Sequence, residues 1–215
     1  PHIVLQPLAR GNAGYQTEQL KPIALFQATP IGLAVLKDSS FQTIKDLIES
    51  ATAQFDILVP IGGASVGDHD HMRTAFAATG FSPIFEKIAV RPGKPTWFSQ
   101  GGETRVLGLP GNPASAFVCA HLFLAPLLGR SWTSRTVHGQ LASNISANGP
   151  REHFMRARAS LNPSGQLVID PAPSQDSALL RPFLSSNVLL RRKPKADAAA
   201  ASSVVEALPI GPITS

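Results

Sequence analysis

Three segments rich in glycine or proline carry most of the residues whose types and spacing could do chemistry. They are Gly62-Gly63-Ala64-Ser65-Val66-Gly67-Asp68-His69-Asp70, Arg91-Pro92-Gly93-Lys94-Pro95 and Leu109-Pro110-Gly111-Asn112-Pro113. Glycine lets a ligand approach the backbone closely, and lysine and arginine neutralise anions. Aspartate is a carboxylate that Mg²⁺ accepts beside phosphate oxygens. Together, the three segments indicate a site for a phosphorylated or oxyanionic ligand.

The first segment follows an apolar run and precedes a helix-like stretch. Its glycines and the Ser65 hydroxyl suit an anion held at the start of a helix. Asp68 and Asp70 both fall near that start. One aspartate is enough to cap a helix, so the second carboxylate is available for Mg²⁺. These residues alone do not favour helix capping over metal binding, or the reverse, as the role of the aspartates.

The other two segments also have structural explanations. Arg91 and Lys94 lie three residues apart on a loop stiffened by prolines, which describes an anion clamp or an ordinary basic turn. Asn112 and Pro113 are typical of a helix N-cap and a first helical residue. A ligand-binding role is favoured over a purely structural one because each segment follows a predicted strand. Open α/β sheets bind ligands at the carboxyl ends of their strands.

The elements that must position these segments alternate up to about Gly129. Strands are predicted at Ile23–Phe26, Asp56–Ile61, Ile84–Val90 and Arg105–Leu109, and helices at Phe41–Gln54, His71–Thr79 and Ala114–Leu128. This alternation predicts an α/β domain with a parallel-type sheet.

Beyond Gly129, short strand-like pieces are separated by turn residues. They lie at Phe154–Ala159, Gln166–Ile169 and Val204–Ile210, which predicts a small all-β domain. The predicted domains therefore span residues 1–130, of which the first 37 or so are atypical, and residues 136–215.

Composition and charge argue against a nucleic-acid-binding protein and against a membrane protein. The 215-residue chain has a net charge of +5, but its tightest basic cluster, Arg191-Arg192-Lys193 with Lys195, has no interleaved aromatic residues. We expect that cluster to be a solvated face, and no nucleic-acid partner. No apolar run reaches the length of a membrane span, so no membrane association is expected. The single cysteine, Cys119, fits the reducing cytoplasm.

In order and spacing, the three segments resemble those of the MoeA family of molybdopterin molybdenumtransferases, which is related to the E domain of gephyrin. The first segment is shared with MogA adenylyltransferases, and the second and third together indicate MoeA. Pro150–Ala157 and Ser177–Leu190 resemble the family's C-terminal β-barrel. The similarity covers about residues 38 to 210, which corresponds to the C-terminal part of the family. Family members carry two further domains ahead of it.

This resemblance implies a fold and a reaction. The fold is a MogA-like α/β/α domain followed by a small β-barrel. In the reaction, molybdate enters adenylated molybdopterin and AMP leaves, assisted by Mg²⁺. Asp70 and Asp38 correspond to metal-binding positions, and Asp70, Lys94 and Arg91 to catalytic ones. The implied substrate-binding residues are Gly62, Gly63, Ser65, Gly67, Asp68, Pro110, Gly111, Asn112 and Pro113.

The resemblance also implies partners and leaves alternatives open. A homodimer is expected for a full-length form, as is contact with a molybdopterin adenylyltransferase. One alternative is a MogA-like enzyme that adenylates molybdopterin. The other is a module that binds the pterin, or acts as a scaffold, without turnover.

Overall fold

The structure, a computed structural model, describes residues 40–62, 71–130, 136–177 and 179–213. The predicted strand at Ile23–Phe26 lies outside these residues. The helices are α1 (Ile44–Thr52), α2 (His71–Ala78), α3 (Pro113–Cys119) and α4 (Ala125–Leu127), with a π-helical turn at Ala120–Leu124 and a 3₁₀ turn at Arg181–Leu184. The strands are β1 (Ile57–Leu58), β2 (Ser82–Phe85), β3 (Val90–Arg91), β4 (Trp97–Gly101), β5 (Thr104–Gly108), β6 (Val137–Leu141), β7 (Glu152–Leu161), β8 (Leu167–Pro171), β9 (Val188–Arg192) and β10 (Val204–Pro209). No helix among the described residues is long and apolar enough to cross a membrane.

The first sheet has four described strands in the order β1-β5-β4-β2. β1 and β5 are parallel, whereas β4 pairs antiparallel with both β5 and β2. The described part of the sheet is therefore mixed. β4 was not predicted, although it contains Trp97, which is almost fully buried.

Helices cover both faces of this sheet because successive side chains of a strand point to opposite faces. On β5, Val106 packs in one cluster with Ile48 of α1 and Phe76 of α2. Its neighbour Leu107 packs in another cluster with Cys119 of α3. This arrangement confirms the expected α/β/α layering.

The strand predicted at Ile84–Val90 is wrong in its extent. β2 pairs with β4 only as far as Phe85. Val90 and Arg91 instead form β3, which runs parallel to β7 in the second sheet. The chain thus changes sheets within the predicted strand, because its two ends pair with different partners.

The second sheet closes into a five-stranded barrel. Its strands follow the order β7-β8-β6-β10-β9, and β9 pairs back onto β7, with β3 added at the outside of β7. The apolar interior includes Leu141, Ala157, Ile169 and Leu190. The barrel confirms the all-β expectation, and β6 and β9 are strands that the sequence did not predict.

The expectation of a solvated face is wrong for Arg191 and Arg192 of the basic cluster, whereas Lys193 and Lys195 are exposed as expected. Arg191 pairs with Glu152 at 2.5 Å and with Glu206 at 3.1 Å, joining β9 to β7 and β10. Arg192 is 8% exposed and donates to the backbone oxygens of Ser146 and Asp197. Both arginines are therefore part of the barrel wall, because closure of the barrel brings acceptors to them.

Candidate functional site

The loop at residues 91–95 connects the barrel-bound strand β3 to β4 of the first sheet. Inside the loop, the backbone N–H and the hydroxyl of Thr96 both donate to the Gly93 oxygen, at 3.0 and 2.8 Å. The Lys94 oxygen accepts from Ile88 N–H at 3.0 Å. These bonds hold the loop backbone, whereas the Arg91 and Lys94 side chains are exposed.

Gly93 allows this loop to pack directly against α3. Its φ of +123° lies in the region that favours glycine, and a Cβ there would collide with the Cys119 sulfur. The Thr96 hydroxyl oxygen lies 3.1 Å from the same sulfur. Burial raises the pKa of the Cys119 thiol to about 11. Cys119 is therefore a neutral packing residue beneath the loop.

The third segment begins α3 as the sequence predicts. The Asn112 side-chain oxygen accepts from the N–H groups of Ala114 and Ser115, at 3.1 and 3.3 Å, and Pro113 is the first helical residue. Nearby, Gly62 N–H donates to the Leu109 oxygen at 2.9 Å. A Cβ on Gly111 would lie 3.3 Å from the Gly62 Cα. The first segment therefore starts beside the third.

A groove of about 600 Å³ separates the loop from the barrel. The loop residues 91–95 line it, together with Ser115 of α3. The barrel contributes Arg151 and residues 175–177. The site is therefore composite, because it needs both the α/β part of the chain and the barrel.

Arg156 holds the barrel side of the groove in place. Its guanidinium is almost fully buried and donates to the backbone oxygens of Asp176, twice at 3.1 Å, and of Leu179 at 2.8 Å. The Gln175 side chain bonds the backbone N–H and oxygen of Arg156, both at 2.9 Å. Asp176 and Ser177 therefore line the groove from a rigid support.

The groove carries more positive than negative charge. Arg91, Lys94 and Arg151 are its cations and Asp176 is the carboxylate among its lining residues. Within the part of the chain that the structure describes, neither Arg91 nor Lys94 has an ion-pair partner. A pair of unpartnered cations on a fixed backbone is suited to a phosphate or another oxyanion.

His153 lies on β7, opposite Arg91 of β3. It is 7% exposed, and its Nε2 atom has no hydrogen-bond partner. Burial, and to a smaller extent the positive charges of Arg91, Arg151, Arg156 and Arg192, lower the pKa of His153 to about 4. The imidazole is therefore neutral at neutral pH and adds no charge to the groove.

The structure brings only some of the predicted site residues together. Arg91 and Lys94 line the groove, and Gly62 and Gly111 contact each other next to the start of α3. Asn112 serves as a helix cap, and Pro110 and Pro113 flank it without lining the groove. The predicted residues that lie outside the described part of the chain are Asp38, Gly63, Ser65, Gly67, Asp68 and Asp70.

Five groove residues were missed from the sequence: Ser115, Arg151, Gln175, Asp176 and Ser177. The strand pairing of β3 with β7 brings the last four of them to the loop. A polar run between two predicted strands, which residues 174–177 form, is the one sequence signal that could have indicated them. Among the described residues, no group of three His, Cys, Asp or Glu side chains could hold a metal ion.

Comparison with known families identifies the two parts of the chain. Residues 20–130, more than half of the chain, match the family described as "Probable molybdopterin binding domain". Residues 138–210 match "MoeA C-terminal region (domain IV)". The chain belongs to the MoeA family. The MoeA-type barrel is therefore the part of this chain that completes the groove.

Relatives and solved structures agree with the MoeA assignment. Proteins named molybdopterin molybdenumtransferase from Haemophilus influenzae and Bacillus subtilis are 31% and 28% identical, over 74% and 76% of this chain. A MoeA protein structure from Pyrococcus horikoshii has a TM-score of 0.61 at 23% identity, over 78% of this chain and 40% of that one, and supports the fold. This chain spans 41% and 39% of the length of the two relatives.

Proposed function

We propose that the groove binds adenylated molybdopterin and that this chain takes part in inserting molybdate into it with release of AMP, in molybdenum cofactor biosynthesis. The observation that carries the proposal is the pair of unpartnered cations, Arg91 and Lys94, on a fixed loop facing the barrel. The names of the relatives support the choice of substrate and reaction.

In this proposal Arg91 and Lys94 act by charge. Two oxyanions, the pyrophosphate link and molybdate, must come close together, and cations reduce their repulsion. Negative charge grows on the departing phosphate of AMP, and preorganised cations stabilise it without rearrangement. The hydrogen bond from Thr96 to Gly93 fixes the loop backbone before the ligand arrives. The two cations are therefore already in place when the charge develops.

The remaining substrate contacts are proposed for residues beside the groove and in the first segment. Gly62, Gly63, Ser65, Gly67 and Asp68 would hold phosphate, and Pro110, Gly111, Asn112 and Pro113 would flank molybdate. Asp70 and Asp38 would hold Mg²⁺, which supplies further charge neutralisation at the phosphate oxygens. A homodimer in a full-length form, contact with a molybdopterin adenylyltransferase and a cytoplasmic setting are also part of the proposal.

The test is AMP release from adenylated molybdopterin with molybdate and Mg²⁺, measured with and without the protein. Because the chain spans about two fifths of its relatives, the assay is repeated with the preceding region of a relative added. We expect Lys94→Ala to lower AMP release at least 100-fold, because it removes a cation from the developing charge. The matched control is Lys193→Ala, whose side chain is exposed on the barrel outside the groove.

The other outcomes identify the alternatives. AMP release by Lys94→Ala within threefold of the unsubstituted chain contradicts the proposed role of the loop. Saturable binding of adenylated molybdopterin without AMP release, even with the added region, favours a scaffold. Formation of adenylated molybdopterin from ATP favours the MogA-like reaction.

A further inference from the structure

A second cavity, of about 270 Å³, lies at the edge of the first sheet, between α2 and β2, and is called the edge cleft below. Its floor is formed by Trp97 and Ser99 of β4 together with Phe81, and all three are buried. The other lining residues belong to α2 and to the chain around β2: Arg73, Thr74, Ala77, Pro83, Phe85 and Glu86. None of these described residues lines the groove, so a ligand of the edge cleft is additional to the one proposed above.

The Ser99 hydroxyl is an unpartnered polar group in the floor of the edge cleft. Ser99 is 6% exposed, and no hydrogen bond to its side chain is made within the described part of the chain. The indole Nε1 of Trp97 also has no partner there and packs against Gly108 instead. Buried polar side chains nearly always have a hydrogen-bond partner, because leaving one unmade costs stability. The floor of the edge cleft therefore offers an open hydrogen-bonding position.

The lining of the edge cleft favours a neutral aromatic ligand. Phe81 and Trp97 supply aromatic surface, and the Phe76 ring holds both, at centroid distances of 5.2 and 5.7 Å. Arg73 and Glu86, the charged residues of the lining, approach to 3.5 Å. Their charges offset each other, so the lining gives an ion no net attraction. Pockets for drug-sized ligands begin at about 300 Å³, so the edge cleft fits a ligand of one or two rings.

The neighbouring sheet edge is unsuited to a peptide. β2 is the edge strand of the described sheet, but its pairing with β4 shifts between Pro83 and Phe85. Proline lacks the N–H group that a further strand would need, and a bulge twists an edge away from such a strand. A small molecule therefore fits this part of the fold better than a peptide added to the sheet.

We propose that the edge cleft binds a neutral planar heterocycle of one or two rings, packed against Phe81 and Trp97, with a ring nitrogen hydrogen-bonded to the Ser99 hydroxyl. The aromatic floor supplies affinity through contact with the ring, and the hydroxyl fixes the orientation of the ligand. This site goes beyond the proposed function and does not depend on it, because the two cavities share no described lining residue.

The experiment follows the fluorescence of Trp97 in a chain that carries Trp132→Phe, which leaves Trp97 as its single tryptophan. The probes are neutral benzimidazole, which has a ring nitrogen and an N–H group, and indene, a carbon ring system of the same shape. We expect both probes to quench Trp97 saturably. Ser99→Ala should weaken benzimidazole about fivefold or more and leave indene unchanged, because only benzimidazole bonds the hydroxyl.

Two further variants show where the probes bind. Ala77→Leu places a larger side chain at the exposed rim of the edge cleft and should weaken both probes about tenfold or more, because it occupies their space. Ser82→Ala is the matched control for Ser99→Ala, since Ser82 is exposed on β2 outside the cleft, and should change neither affinity. Ser99→Ala should not lower the melting temperature, because it removes a hydroxyl that has no partner to lose.

Four results overturn the inference. Quenching that Ala77→Leu and Ser99→Ala both leave unchanged places the probes elsewhere on the chain. Equal weakening of benzimidazole and indene by Ser99→Ala removes the hydrogen bond from the proposal. A lower melting temperature for Ser99→Ala gives the hydroxyl a structural role. Absence of saturable quenching by either probe means that the edge cleft holds only water.

Failure of the proposed function gives a different pattern. Lys94→Ala tests the groove through AMP release and should leave the affinities of both ring probes unchanged, because Lys94 does not line the edge cleft. Loss of AMP release with unchanged quenching supports both proposals. Normal AMP release in Lys94→Ala contradicts the role of the loop alone, and the Ser99 and Ala77 variants still decide the edge cleft.

Discussion

The loop at residues 91–95 and the barrel both contain arginines, but they use them in opposite ways. Arg91 and Lys94 of the loop are exposed and have no ion-pair partner among the described residues. In the barrel, Arg156 and Arg192 are buried and bound to backbone oxygens. One set of cations is available to a ligand, whereas the other holds the protein together.

The difference follows from the cost of burying charge. A guanidinium removed from water must be hydrogen-bonded or paired, because an unpaired buried charge is strongly destabilising. A cation at the surface pays no such cost and gains little from a partner. A basic residue that is exposed on a fixed backbone without a partner is therefore a better indication of a ligand site than a basic cluster in the sequence.

The largest expected effect on stability comes from replacing a buried arginine of the barrel. Arg156→Leu leaves the Asp176 and Leu179 oxygens without their donor and should lower the free energy of unfolding by about 3–4 kcal/mol. Urea denaturation measures this change. Arg158→Ala is the control, since Arg158 is exposed on the same strand, and should cost less than about 0.5 kcal/mol. Equal costs for the two variants would remove the distinction between buried and exposed arginines.

A pH-dependent effect of similar size is expected for the buried His153. Its pKa is about 4 in the folded chain and about 6.5 when unfolded, so between these values the unfolded chain binds more protons. Stability should therefore fall as the pH drops from about 6.5 to about 4, by up to about 3 kcal/mol.

His153→Gln should remove this part of the pH dependence, because glutamine does not titrate. Urea denaturation at pH 7, 5 and 4 measures it as a difference from the unsubstituted chain. His138→Gln, at an exposed position on β6, should keep the original slope. The same slope in the His153 variant would show that the buried imidazole does not titrate as described.

The smallest effect on stability is expected in the loop. Arg91→Ala combined with Lys94→Ala should change the free energy of unfolding by less than about 0.5 kcal/mol, because neither side chain is buried or paired. The same double variant should bind pyrophosphate at least tenfold more weakly. Thermal melting and calorimetry on one sample measure both values. A large loss of stability would mean that the loop cations have a structural role.

Local sequence signals predicted the elements that local interactions form. Thr43 and Asp46 form a reciprocal cap at the start of α1, and Asn112 with Pro113 begins α3. The ends predicted for α1 differ by two or three residues, and the helix predicted at Ala114–Leu128 corresponds to α3, the π-helical turn and α4 together. β6 and β9 were missed because their positions depend on pairing with strands that are distant in the chain, as between β9 and β7.

The amino-acid sequence alone was sufficient for the α/β and all-β class of the two parts, for the family resemblance and for the loop cations. These depend on residue types and short spacings, which the chain has before it folds. Tertiary structure decided which residues share the groove, because the pairing of β3 with β7 brings Arg151 and Asp176 to a loop that lies far from them in the chain. It also decided which arginines are free to bind a ligand, since burial and acceptors depend on closure of the barrel.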